Sequence, residues 1–135
     1  MYNSVLLVDD DEDSNFISEL AIKKSSITDS ITCVKNENEA LQFIVNYSVA
    51  HADITSVNYN HIVFLDLHMP IMDGFDFLAQ LAAQMPNYNE RIKIYILTSS
   101  SNPADISKAE QYVISGYINK PLDMNKIKFL VAQKW

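Results

Sequence analysis

The chain has 135 residues, 48% hydrophobic and 20% charged, the balance of one globular domain with enough apolar surface for a core. Seventeen acids against ten bases leave a net charge of −7, which argues against a general nucleic-acid surface. A lone cysteine, Cys33, excludes an internal disulfide, and the wide separation of the only two glycines, Gly74 and Gly116, excludes Walker and dinucleotide loops.

Taken in chain order, short apolar runs alternate with helical patterns. Val5 to Val8 is continuously apolar and stops at carboxylates, as a strand buried on both faces does. Phe16, Ile17, Leu20 and Ala21 then form a helical stripe, with acids in the first turn and Lys23-Lys24 in the last, as the helix dipole favours. Ile31 to Val34 reads as a second strand. Asn36 and Glu39 have the spacing of a capping box before the stripe Ala40, Leu41, Ile44 and Val45.

Residues 51–60 read as a long helix-to-strand connection. Ile62 to Leu65 is the next buried strand and ends at Asp66. A turn through Pro70 and Gly74 leads to a helix with Phe75, Leu78, Leu81 and Ala82 inward, stopped before Pro86. Ile94 to Leu97 is a fourth strand, followed by Asn102 as a cap and Pro103 at a first helical position. Tyr117-Ile118 is a short fifth strand, and Asp123 opens a last helix bearing Ile127, Leu130 and Val131. The alternation predicts a parallel (βα)5 sheet covered on both faces, with its ligand beyond the carboxyl ends of the strands.

The residues that follow the strands carry the chemistry. Strand one ends in Asp9-Asp10, strand three in Asp66 and strand four in Thr98, while strand five leads through Asn119 into Lys120-Pro121. If these strands are neighbours, three carboxylates, a hydroxyl and an ammonium meet at one edge. Three carboxylates do not share a small volume ionised without a cation, because like charges raise one another's pKa. An oxygen-only set suits Mg²⁺, which takes few carboxylates and bridges phosphate. Lys120 adds a point charge for an anion. An EF-hand beginning at Asp9 is excluded, since its glycine position holds Ser14 and its glutamate position Leu20.

At these residues the sequence resembles a family. L-L-V-D-D, F-L-D-L-H-M-P-I-M-D-G, I-L-T-S and Y-I-N-K-P, in this order along the whole chain, look like the receiver domain of bacterial two-component response regulators. The nearest kind is the stand-alone, chemotaxis-type receiver. The resemblance implies a doubly wound, flavodoxin-like sheet of order 2-1-3-4-5 within a single domain spanning 1–135. It implies Asp66 as phosphoacceptor, with Mg²⁺ held by Asp10 directly, Asp9 through water, Asp66 and the main-chain carbonyl of His68. Lys120 would hold a phosphoryl oxygen, a cis bond would precede Pro121, and Thr98 would bond the phosphoryl group. Thr98 and Tyr117 would be the switch residues.

Asp11 departs from the family pattern by adding a third acid to the usual pair, which raises the expected local charge. The His68 side chain and the long 51–60 connection are further departures.

The expected partners are a sensor histidine kinase or phosphotransfer protein, and a downstream protein or second copy on the face of helix four, strand five and helix five. No apolar run approaches ~18 residues and no secretion signal opens the chain, so membrane is not an expected partner and the expected address is cytoplasmic, while the net charge of −7 speaks against direct binding of DNA. The chain ends soon after its last helix, which points to output through a partner. Such a domain is not an enzyme beyond catalysing its own phosphorylation and dephosphorylation. A haloacid-dehalogenase-type phosphatase is the alternative, because it too uses a strand-end aspartate, Mg²⁺, a hydroxyl and a lysine. Asp9 and Asp11 have its carboxylate spacing, but Asp13 stands where its motif has Thr or Val.

Overall fold

In a computed structural model, residues 4–50, 61–67, 74–85, 88, 92–98 and 103–132 are described. The elements are β1 (Ser4–Val8), α1 (Glu12–Ser25), β2 (Ile31–Val34), α2 (Glu37–Ala50), β3 (His61–Leu65), α3 (Gly74–Gln84), β4 (Ile92–Thr98), α4 (Pro103–Ala109), β5 (Gly116–Asn119) and α5 (Met124–Ala132). All strand pairings are parallel, and the sheet order is β2-β1-β3-β4-β5. The expected doubly wound architecture is therefore the observed one. The connection over 51–60, the Asn102 cap and the turn through Pro70 lie outside the described residues.

The continuous apolar strands are explained by the two cores they separate. Leu6, Val8, Val63, Leu65, Ile94 and Ile96 point to one face, against Leu41 and Ile44 of α2 and Leu78 and Leu81 of α3. Val5, Leu7, Ile62, Phe64, Tyr95 and Leu97 point to the other, against Ile22 of α1 and Ile127 and Leu130 of α5. Alternation along a strand sends every second side chain to the opposite layer, so a strand covered on both sides must be apolar throughout.

Helix starts follow their capping residues. The Asn36 side chain accepts from the Glu39 N–H at 2.9 Å, and the Glu39 carboxylate reaches back to the Lys35 N–H at 3.2 Å, one residue before the partner that a capping box uses. Asp123 accepts from the Lys126 N–H at 2.9 Å and caps α5.

The α1 stripe is a correction. Phe16, Ile17 and Leu20 are 64%, 48% and 42% exposed, whereas Asn15, Ser18, Ala21 and Ile22 are buried on the opposite face. Of the predicted stripe only Ala21 is buried, beside Ile22, which packs in the core, and the Asn15 amide on this inward face donates to the Asp9 carbonyl at 2.9 Å. On α5, Ile127 and Leu130 are buried as expected, but Val131 is exposed. On α3, Phe77 joins the core although the predicted stripe passes it by.

This rotation of α1 predicts two unequal truncations. Phe16→Ala should change stability by within about 0.5 kcal/mol, and Ile22→Ala should cost about 2–5 kcal/mol. Urea denaturation of both variants checks it, and equal losses would place Phe16 in a core.

Candidate functional site at the carboxyl edge of the sheet

Three backbone hydrogen bonds extend the sheet past its strands and fix the site's main chain. The Asp9 N–H donates to the Val34 carbonyl at 3.1 Å, the Asp66 N–H to the Val8 carbonyl at 3.0 Å, and the Lys120 N–H to the Thr98 carbonyl at 2.8 Å. Each chemistry-bearing residue is thus tied to a neighbouring strand as the ladder ends. The peptide bond from Lys120 to Pro121 is cis, as the resemblance implied.

Asp9, Asp66 and Thr98 are buried at this edge, Lys120 is partly buried and Asp10 is exposed. The Lys120 ammonium lies 2.6 Å from Asp9 Oδ2 and 3.5 Å from Asp66 Oδ2. The other oxygen of Asp9 accepts from the Asp11 N–H at 3.0 Å. A cation and a main-chain donor therefore share the buried Asp9 carboxylate, which offsets the cost of removing it from water. Burial works to lower the Lys120 pKa, but the hydrogen bond to Asp9 and the charges of Asp66 and Asp9 outweigh it, so the ammonium is held above its usual range.

Asp9, Asp10 and Asp66 each bring a carboxylate oxygen within 4.8 Å of the others. This hard, oxygen-only set fits Mg²⁺ and no soft metal. Asp11 does not belong to the cluster. Its side chain accepts from the Asp13 and Ser14 N–H groups and serves as the N-cap of α1, so the extra acid in the sequence is a helix cap.

Gly74 closes the site from behind. Its N–H donates to the Leu67 carbonyl at 3.0 Å, and a Cβ there would lie 2.9 Å from the main-chain oxygen of Asp66. The backbone that presents Asp66 leaves no room for a side chain at this point.

Of the predicted site residues, Asp9, Asp10, Asp66 and Lys120 are brought together, with Thr98 at the end of the neighbouring strand, bonded through its carbonyl to Lys120. His68 lies outside the described residues. Tyr117 stands apart, on β5, and its hydroxyl donates to the Ile106 carbonyl of α4 at 2.9 Å. Burial, and secondarily the charge of Glu110, raise its pKa. Asn15 is the site-supporting residue that sequence reasoning missed. Nothing in the helical stripe pointed to it, since a polar residue in a first turn ordinarily faces solvent.

The chain matches the family model for the response regulator receiver domain over residues 5–132. It belongs to that family. A two-component response regulator of Oryza sativa subsp. japonica is 27% identical over 93% of this chain, which spans only 18% of that protein's length. A response regulator of Synechocystis sp. is 25% identical over 91% of the chain and 80% of its own length. Among solved structures, a two-component response regulator from Cytophaga hutchinsonii superposes with a TM-score of 0.80 at 27% identity, covering 97% of this chain and 95% of that one. These matches lend no support to the haloacid-dehalogenase alternative. No described helix of this receiver is long and apolar enough to cross a membrane.

Because Lys120 is the cation beside two buried carboxylates, Lys120→Met should cost on the order of 1–3 kcal/mol in metal-free buffer at pH 7. The raised folded pKa sets the sign of its pH dependence. The stabilisation is fully present below the unfolded lysine value of about 10.4 and is lost as pH rises through the higher folded value. Urea melts should show a constant gap between wild type and variant across neutral pH, narrowing only on the alkaline side. A gap that closes below pH 9 would contradict the ion pairing.

Proposed function

We propose that this receiver accepts a phosphoryl group on Asp66 in a Mg²⁺-dependent step and passes the signal on through a protein-interaction surface. What supports this reading is the meeting of Asp66, Asp9, Asp10 and Lys120 at one sheet edge in a chain of the receiver family. Asp9, Asp10 and Asp66 would hold the ion, with the carbonyl of His68 completing the protein's share. When bound, Mg²⁺ supplies positive charge to the oxygens of the phosphoryl group.

The protein's own groups do the rest. A carboxylate oxygen of Asp66 attacks phosphorus in line and forms the acyl phosphate bond. In the same displacement the bond from phosphorus to the ring nitrogen of a kinase phosphohistidine breaks, and the imidazole leaves with the electron pair. Lys120 neutralises developing charge on an equatorial oxygen, and the Thr98 hydroxyl donates to another. Hydrolysis reverses the state: water attacks phosphorus, the bond to Asp66 breaks, and inorganic phosphate leaves. Catalysis is positioning and electrostatics on the domain's own side chain, so the protein is a phosphorylated switch rather than an enzyme acting on separate substrates.

The output surface lies on α4, β5 and α5. Tyr117 bonds the α4 main chain, and the neighbouring groove between β5 and α5 is lined by Tyr117, Asn119, Lys126 and Phe129, the last 68% exposed. A change at Thr98 reaches this surface through β4 and its pairing with β5. The partner is a downstream protein or a second copy, and the donor is a sensor histidine kinase or phosphotransfer protein. The expected setting is cytoplasmic, with neither DNA nor membrane as a direct partner.

Incubation with acetyl phosphate and Mg²⁺ tests the reading. Intact-mass analysis should show one phosphoryl group per chain that is labile to base and to hydroxylamine, as an acyl phosphate is, and that is absent in Asp66→Ala and absent in EDTA. Multiple turnovers of a phosphomonoester without stoichiometric labelling would overturn it in favour of a phosphatase.

A further inference from the structure

The first turn of α5 holds a cation where a helix favours an anion. Asp123 is the N-cap, which makes Lys126 the third helical residue, the position that Glu or Gln takes in a capping box. The helix dipole opposes a positive charge there. Lys126, partly exposed, folds back over the preceding loop. Its ammonium donates to the Asn119 carbonyl at 2.7 Å and to the Pro121 carbonyl at 2.8 Å. These two carbonyls flank Lys120, whose own N–H is held by the Thr98 carbonyl and whose ammonium lies between Asp9 and Asp66.

We infer that Lys126 is a positioning residue for Lys120, fastening the β5–α5 loop on both sides of it so that the Lys120 ammonium stays aimed at the carboxylates. The inference rests on the phosphoacceptor reading above for its effect on rate, but its structural part does not need that reading. Lys126 touches no reacting group. It acts through the two carbonyls, and both must accept from one ammonium for the loop to be clamped rather than merely tethered. The same side chain lines the groove between β5 and α5, so the loop beside the phosphorylation site and the outer surface share one side chain.

Lys126→Met, which keeps the stem and removes the donors, and Lys126→Arg, which keeps donors and charge, separate this role from a helix effect. Three readouts apply: thermal stability, hydrogen exchange of the Lys120 amide, and the rate of labelling by acetyl phosphate. Removing a charge that opposes the dipole should leave the melting temperature of Lys126→Met unchanged or higher. Its Lys120 amide should nevertheless exchange several-fold faster, and labelling should slow about three- to tenfold, with Lys126→Arg recovering most of both. Wild-type exchange at Lys120 in Lys126→Met overturns the inference, as does a loss of melting temperature without a change at that amide. If wild type itself is not labelled, the phosphoacceptor reading fails while the exchange result still decides the clamp.

Discussion

Everything at the functional edge depends on one ammonium placed between two buried carboxylates. The sheet delivers Asp9 and Asp66 from adjacent strands, β1 and β3, and burial makes their charges costly. Lys120 arrives from the far side of the sheet, beyond β4 and β5, and bonds both. A salt bridge in such a place contributes little net stability once desolvation is counted, but breaking it leaves charge without compensation. The arrangement is therefore better suited to holding an anionic site ready than to strengthening the fold.

Supporting interactions converge on this cluster from elements with no chemistry of their own. Asn15 in α1 holds the Asp9 carbonyl, the Asp11 N–H occupies one Asp9 oxygen, and Gly74 lets α3 begin against the Asp66 main chain. Their common effect is to fix where oxygen atoms lie before any ligand arrives. A site that works by electrostatic complementarity gains from such preorganisation, because its dipoles need not reorient during the reaction. The face of α1 that carries Asn15 is also the face that packs on the sheet. The helix is rotated so that Ala21 and Ile22 enter the core and Asn15 meets the loop, which leaves Phe16, Ile17 and Leu20 outside.

That rotation also shows what the sequence could and could not reveal. Strands such as Val5–Val8 and Ile62–Leu65 were legible because a sheet covered on two faces demands uninterrupted apolar residues. The site was legible because Asp9, Asp10, Asp66, Thr98 and Lys120 each follow a strand, and a parallel sheet gathers strand ends. Asn15 was not legible, since its inward turn depends on a carbonyl in a loop whose course periodicity does not specify. Asp11 was read as surplus charge because capping and clustering use the same residue type. Lys93 was missed as well: it is buried in β4, where burial pushes its pKa down, although lysine in a strand ordinarily signals exposure. Position Lys126 carried a faint signal, a cation in the first turn of a helix, whose meaning required knowing which carbonyls lay within reach.

The central claim is that Asp66, the Asp9–Asp10 pair and Lys120 form one site that recognises a phosphoryl group with Mg²⁺. Fluorine-19 NMR with beryllofluoride, which mimics an acyl phosphate, addresses it directly. Wild-type protein with Mg²⁺ should show protein-bound fluoride resonances that vanish in EDTA and in Asp66→Asn, and that weaken strongly in Lys120→Met. Bound resonances that persist in Asp66→Asn, or the failure of wild type to bind at all, would contradict the account.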